Sequence, residues 1–234
     1  MRIRGELIKL GYVVSATSIR NLMQKHGVPT SSQRSCLSWR EFLRAQASAI
    51  VATDYFTVDT WNLKRLYVLF FMELGTRRIA WLGVTEHPNQ GWVSQQARNL
   101  AWELEEQGSH ASFVICDIDK KFPYAFEHVL ADEGVRVIRT PLHAPQANAY
   151  AERWVGSARR ECLDWLIVGG RRHLERVLDE YVDHYNNERP HRGLQLHPPN
   201  GPLHGVSATG AISCRARLGG LLREYSRTSN LVAA

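Results

Sequence analysis

The stretch FVICDIDKKF, residues 113–122, opens with an apolar run, Phe113 to Cys116, and then stops on two aspartates and two lysines. Four apolar residues bounded by polar ones read as a short buried strand. Two readings of its end stand open. Aspartate is common where a strand turns into solvent. A carboxylate at the carboxyl end of a strand also lies where the ligands of open α/β sheets gather.

Working outward, Val51 to Thr60, Arg65 to Leu74 and Arg78 to Val84 read as three strands, the last two joined through Gly75-Thr76-Arg77. Trp92 to Glu106 is helical, with Val93, Ala97, Leu100, Ala101 and Leu104 on one face. After the opening strand come a helix from Tyr124 to Glu133, a short strand from Arg136 to Ile138 and two helices, Ala149 to about Leu166 and Arg171 to Asn187. Three strands in succession, then alternating helices and strands, imply an α/β domain with a mixed sheet and helices packed against it. The expected organisation is 1–27, a helical pair; 28–49, a linker and short helix; 50–197, the main domain; and 198–234, a tail whose Gly, Pro and Ser content resists assignment.

In the first segment, Ser15 is placed to cap a helix ended by Gly27, and Ile3, Leu7, Leu10, Ile19, Leu22 and Met23 form the expected inward stripes. Arg4, Arg20 and Lys25 then point outward. A partial helix-turn-helix and a plain helical hairpin fit these residues equally.

Charge is unevenly spread. Residues 1–44 carry eight Lys/Arg against two Asp/Glu, 45–150 nine against twelve, and 151–234 twelve against nine. Basic flanks around an acidic middle favour a polyanionic partner. No run of 18 apolar residues occurs, so no membrane span is expected. Four scattered cysteines without a C-x-x-C fit a reducing cytoplasm and exclude a zinc knuckle.

Asp54 lies inside the first strand on the side of Phe56 and Val58, an expensive position for an unpaired carboxylate. Glu152 opens the helix in ANAYAERWVGSARRECLD, with Arg159 and Arg160 about two turns on. Singly, each acid has an ordinary explanation, such as a favourable helix-dipole contact for Glu152. Three acids on three elements, with 34 residues between Asp117 and Glu152, are harder to explain separately.

TDYFTVDT, ICDIDKKF and NAYAERW, in that order, resemble the DDE core of insertion-sequence transposases and retroviral integrases. HYNNERPHRGL, residues 184–194, and RLGGLLREY, residues 217–225, resemble segments that end many bacterial members. The first 27 residues resemble the latter part of a transposase helix-turn-helix, which implies a truncated DNA-binding head. The resemblance implies a ribonuclease-H-like fold, a five-stranded mixed sheet flanked by helices. It implies Asp54, Asp117 and Glu152 as catalytic and metal-binding residues, Mg²⁺ or Mn²⁺ in a two-metal site, and double-stranded DNA, both element ends and target, as partner. It further implies homo-oligomers on DNA, a bacterial cytoplasmic location, and no need for ATP or a membrane. Asp119 stands where many relatives have glycine and rivals Asp117; Asp117 is preferred because it directly follows the strand and keeps register with Phe122.

Two hard divalent ions held by oxygen ligands suit phosphodiester cleavage and transfer. Arg159 and Arg160 are expected at DNA phosphates, an ion pair with an acid being the competing use. Lys120 and Lys121 either touch the DNA backbone or neutralise Asp117 and Asp119, and Arg20 and Lys25 belong to the helical head. Arg189, His191 and Arg192 fit a DNA contact and a helix-ending turn capped by Asn186 or Asn187 equally well. The expected function is metal-dependent DNA cleavage and strand transfer. A catalytically silent DNA-binding remnant and a nuclease of the same fold are the alternatives.

Overall fold

The structure, a computed structural model, describes residues 2–27, 39–117, 122–139, 149–202 and 210–227. The chain forms two compact units, Met1–Phe42 and Leu43–Ala234.

In the first unit, α1 (Arg2–Lys9) and α2 (Ala16–Lys25) are separated by Gly11 in the left-handed region. Ser15 caps α2 as expected, its hydroxyl accepting from the Ser18 N–H at 3.0 Å. The expected inward stripes are only partly covered: Ile3, Leu10 and Leu22 are exposed, and α2 buries no residue. Two helices of 8 and 10 residues offer too little surface to enclose a core between them. A third helix, α3, spans Trp39–Ala45.

In the second unit, β1 (Ile50–Asp59), β2 (Arg65–Glu73), β3 (Ile79–Thr85), β4 (Phe113–Cys116) and β5 (Arg136–Arg139) form one sheet in the order β3-β2-β1-β4-β5. The first three strands pair antiparallel; β4 and β5 pair parallel, with Ala52 opposite Ile115 and Ile115 opposite Ile138. This is the expected five-stranded mixed sheet. The expected strands and helices appear with ends shifted by one or two residues, except that α6 (Ala149–Glu161) stops short of Leu166 and gives way to a tight turn at Leu163–Trp165.

The pleat sends alternate side chains into two separate cores. On one face, Phe56, Val58, Val68, Phe70 and Met72 pack under α6 and α7 (Arg171–Asn187), with Trp154 wedged 4.2 Å from Phe70 and 5.8 Å from Phe56, ring centre to ring centre. On the other, Val51, Leu69, Phe71, Val114 and Cys116 pack under α4 (Gln90–Glu106) and α5 (Tyr124–Asp132). The near-continuous apolar run of β2 follows from this burial on both faces.

The segment HYNNERPH, residues 184–191, holds α7 in place. The Asn186 amide makes a two-pronged contact with the backbone of edge strand β3, accepting from the Ile79 N–H and donating to its carbonyl, both at 3.0 Å. Arg189 reaches back to α6 and grips Glu161 with two nitrogens, at 2.8 and 2.6 Å, and Tyr181 adds a third hydrogen bond to that carboxylate. His191 stands edge-on to Tyr185 at 4.6 Å. Arg189, left open between DNA contact and turn by the sequence, is therefore a packing residue, and so is Asn186, the expected cap of that turn.

The tail holds an unforeseen hairpin, β6 (Ile212–Arg217) with β7 (Leu222–Arg227). Leu218 and Leu222 join the core beneath α7.

Asn186→Ala leaves both Ile79 backbone groups unpaired in a buried site and is expected to cost about 2–4 kcal/mol, read from urea unfolding. A loss below about 0.5 kcal/mol would remove Asn186 from this role. A second expectation concerns acid. Burial raises the Glu161 carboxyl, but the Arg189 hydrogen bonds and charge more than offset this and leave it below its ordinary 4.5. A depressed carboxylate stabilises the fold above its unfolded value, and that contribution fades as pH falls through the folded value. Glu161→Gln is thus expected to be less stable at neutral pH and to lose less on acidification from about pH 5 to about pH 3 than the parent chain.

Candidate active site

Parallel pairing of β1 with β4 aligns Ile50 with Phe113, Val51 with Val114 and Ala52 with Ile115. Continued by two residues, the same register sets Asp117 beside Asp54. Val51, Val114 and Cys116 all enter the α4/α5 core, so by alternation the Asp54 and Asp117 positions belong to the opposite, α6-bearing face. β4 ends at Cys116 and β1 continues to Asp59, which leaves Asp54 at the step where one strand outlasts its neighbour. There the Asp54 carboxylate accepts from the Tyr55 N–H at 2.7 Å, which fixes the orientation of the carboxyl group. Asp54 is half-buried and Asp117 exposed.

Helix α6 supplies the third acid. At about 100° per residue, Tyr150, Trp154 and Glu161 share one flank, while Glu152 and Arg159 share the opposite one. The first flank faces α7: Trp154 meets Tyr185 edge-on at 6.4 Å, and Glu161 holds Arg189 and Tyr181. The second faces β1. Arg159 donates to the Thr57 carbonyl at 2.8 Å, its guanidinium 5.8 Å from the Phe56 ring centre. The helix runs in the direction of β1, since the Trp61 N–H just past β1 donates to the Val168 carbonyl beyond α6 at 2.9 Å. From Arg159 back to Glu152 is seven residues of helix, about 10 Å. From Thr57 back to Asp54 is three residues of strand, also about 10 Å. Glu152 therefore lies on the same flank of α6 as Arg159, one end of a span matched in length by Asp54–Thr57 on β1, with its side chain exposed.

Among the described residues, no three Asp, Glu, His or Cys side chains stand close enough to hold a metal ion. Asp54, Asp117 and Glu152 therefore form no such group in this structure. Arg159, expected at a phosphate, spends one nitrogen on Thr57 and is half-buried. Arg160 is exposed, as are Arg20 and Lys25 on α2. Lys120, Lys121 and Asp119 lie outside the described residues. No sequence signal marked the Arg159–Thr57 tie, because a carbonyl acceptor leaves no trace in residue type.

A five-stranded mixed sheet with this crossover is shared with solved transposase and integrase cores. The chain superimposes with a TM-score of 0.51 and 16% identity on the Mos1 transposase catalytic domain solved with raltegravir and Mg, covering 62% of this chain and 76% of that one. Against a simian T-cell lymphotropic virus intasome the TM-score is 0.52 at 13% identity, over 77% of this chain and 67% of that one. The fold is thus the ribonuclease-H-like one of transposase and integrase catalytic cores. More narrowly, residues 133–199 match the family described as "Integrase core domain", a span that includes Glu152. An uncharacterized protein of insertion element IS136 from Agrobacterium fabrum is 24% identical over 195 residues, covering 76% of this chain and 92% of that protein. An IS136 protein from Agrobacterium tumefaciens matches equally well.

Arg159→Met keeps the aliphatic stem against Phe56 and deletes the bond to Thr57. A charged hydrogen bond of this kind is expected to be worth about 1.5–3 kcal/mol, measured as the shift in unfolding free energy. No change would show that the tie does not hold α6 to β1.

Proposed function

We propose that the chain catalyses metal-dependent DNA cleavage and strand transfer, with Asp54, Asp117 and Glu152 as its catalytic carboxylates and residues 50–197 as the catalytic core. This reading is supported by the β1–β4 register, which, continued by two residues, pairs the Asp54 position with that of Asp117. The donor set fits hard divalent ions, Mg²⁺ or Mn²⁺, since every candidate ligand is a carboxylate oxygen. Bound ions would supply charge stabilisation at the attacking and leaving oxygens of an in-line displacement.

In the first step water adds to phosphorus at the element end, and the 3′ oxygen leaves as a hydroxyl. In the second, that hydroxyl attacks a target phosphodiester and displaces the target's own 3′ oxygen. One phosphodiester is made for each one broken, so transfer needs no ATP. Asp54, its carboxyl group fixed by the Tyr55 N–H, and Asp117, at the strand end, orient the reacting phosphate from the sheet side. Glu152 closes the site from α6, and Arg159 anchors that helix flank to β1 while its remaining nitrogens face incoming phosphate. Arg160, Lys120, Lys121, Arg20 and Lys25 are assigned to the DNA backbone. Double-stranded DNA is the partner, several copies act together on it, and the setting is the cytoplasm. No helix among the described residues is long and apolar enough to cross a membrane.

The test is incubation of the chain with the DNA flanking its own reading frame, with Mn²⁺, Mg²⁺ or EDTA. Nicked and joined products are expected with either ion and none with EDTA. Asp54→Asn, Asp117→Asn and Glu152→Gln should each lower the rate by about a thousandfold, the kinetic equivalent of losing several kcal/mol of transition-state stabilisation. Asp117→Asn without metal should melt at the same or a higher temperature, because it removes one of two neighbouring negative charges. Activity that survives EDTA overturns the metal assignment. Hydrolysis without joining indicates a nuclease, and binding without chemistry a silent remnant.

A further inference from the structure

The hairpin in the tail has two unlike faces. Ser213, Arg215 and Arg217 oppose Ser226, Glu224 and Leu222; Ile212, Cys214 and Ala216 oppose Arg227, Tyr225 and Arg223. The first face packs on α7. Leu222 is buried, and Arg217 is held between Asp183 at 2.6 Å and Glu224 at 2.7 Å. His184 completes the network with its Nδ1 3.0 Å from the same Glu224 carboxylate. Glu224 is the only acid in the hairpin, and it is turned inward and matched.

The second face is open. Ile212 is 67% exposed and Tyr225 61%, and Cys214, Arg223 and Arg227 are exposed with them. Arg215 is exposed as well, although its position belongs to the packed face. Three arginines and a tyrosine thus stand on a rigidly mounted two-stranded ribbon with no exposed acid among them.

We propose that this outer face is a second DNA-binding surface, which grips the phosphodiester backbone of duplex DNA away from the carboxylates. Guanidinium groups match phosphate oxygens in a planar, two-pronged geometry that lysine lacks. A two-stranded ribbon is also one of the two backbone shapes a DNA major groove admits. The hairpin is mounted on α7, which packs on the α6 flank opposite Glu152. DNA held there is therefore bound separately from the phosphate undergoing reaction. The choice of DNA as the polyanion rests on the function proposed above; the cationic face itself does not.

The experiment uses the full chain and a short duplex, followed by fluorescence anisotropy across a NaCl series without metal. The combined variant Arg215→Gln, Arg223→Gln and Arg227→Gln is expected to flatten the log–log salt slope by about 2–3 units and to weaken binding at least about tenfold at low salt. A second readout is independent of whether the triple variant folds. Cys116 and Cys162 are buried and Cys214 is exposed, so in a Cys36→Ser chain Cys214 is the thiol on this face open to a maleimide. Bound duplex should slow its alkylation at least about fivefold. An unchanged slope with unchanged alkylation, in a chain that binds DNA, overturns the hairpin assignment and leaves the catalytic reading intact. A parent chain with no affinity for DNA overturns both. Loss of self-association in the variant, with DNA binding unaltered, makes the face a contact between copies and likewise overturns the proposal.

Discussion

The parallel pairing of β1 with β4 is the constraint from which the rest of the second unit follows. A strand that returns parallel to β1 cannot be reached by a tight turn, so the chain must leave the sheet after β3, cross it through α4 and come back beside β1. That crossover covers one face and obliges α6 and α7 to cover the other. It also sets the register that brings the Asp54 and Asp117 positions side by side. A slip of one residue would send Asp117 to the α4/α5 core, where an unpaired carboxylate is prohibitively costly. The apolar residues of β4 thus specify the placement of a polar one.

Helix α6 works as a hinge plate between two partners. Through Trp154 and Glu161 it is bolted to the sheet and to α7, and through Arg159 to the backbone of β1. Buried aromatic contacts fix its distance from the sheet, and charged hydrogen bonds fix its rotation about its own axis. Rotation matters more for the site: about 100° separates one residue from the next, so a small turn of the helix would swing Glu152 away from β1. Both the Glu161–Arg189 clamp and the Arg159–Thr57 tie resist that turn.

Much of this was legible in the residues. The strands of the sheet and the helices covering it announce themselves through apolar period, because each buries a wide stripe or a whole face. Asp54 stood out as an acid in an apolar strand. The hairpin of the tail was not legible. Its outward residues, Ile212, Cys214 and Ala216, remain exposed, and its inward ones include Arg217 and Glu224, which are buried only because they neutralise each other. Polar pairs that satisfy one another carry no hydrophobic signature. The same holds for Asn186 and Arg189, whose partners, a strand backbone and an acid 28 residues away, become visible only in three dimensions. In the helical head the opposite occurred: the stripes were legible, but two short helices left Leu10 and Leu22 uncovered.

The amide of Asn186 has a further consequence for how this protein behaves in company. β3 is an outer strand of the sheet, and unpaired N–H and C=O groups on such a strand are a template onto which any extended polypeptide can add. By engaging both groups of Ile79, Asn186 imitates one rung of a neighbouring strand at the end where such addition would begin. Copies of this chain are thereby discouraged from zipping sheet to sheet into insoluble ribbons.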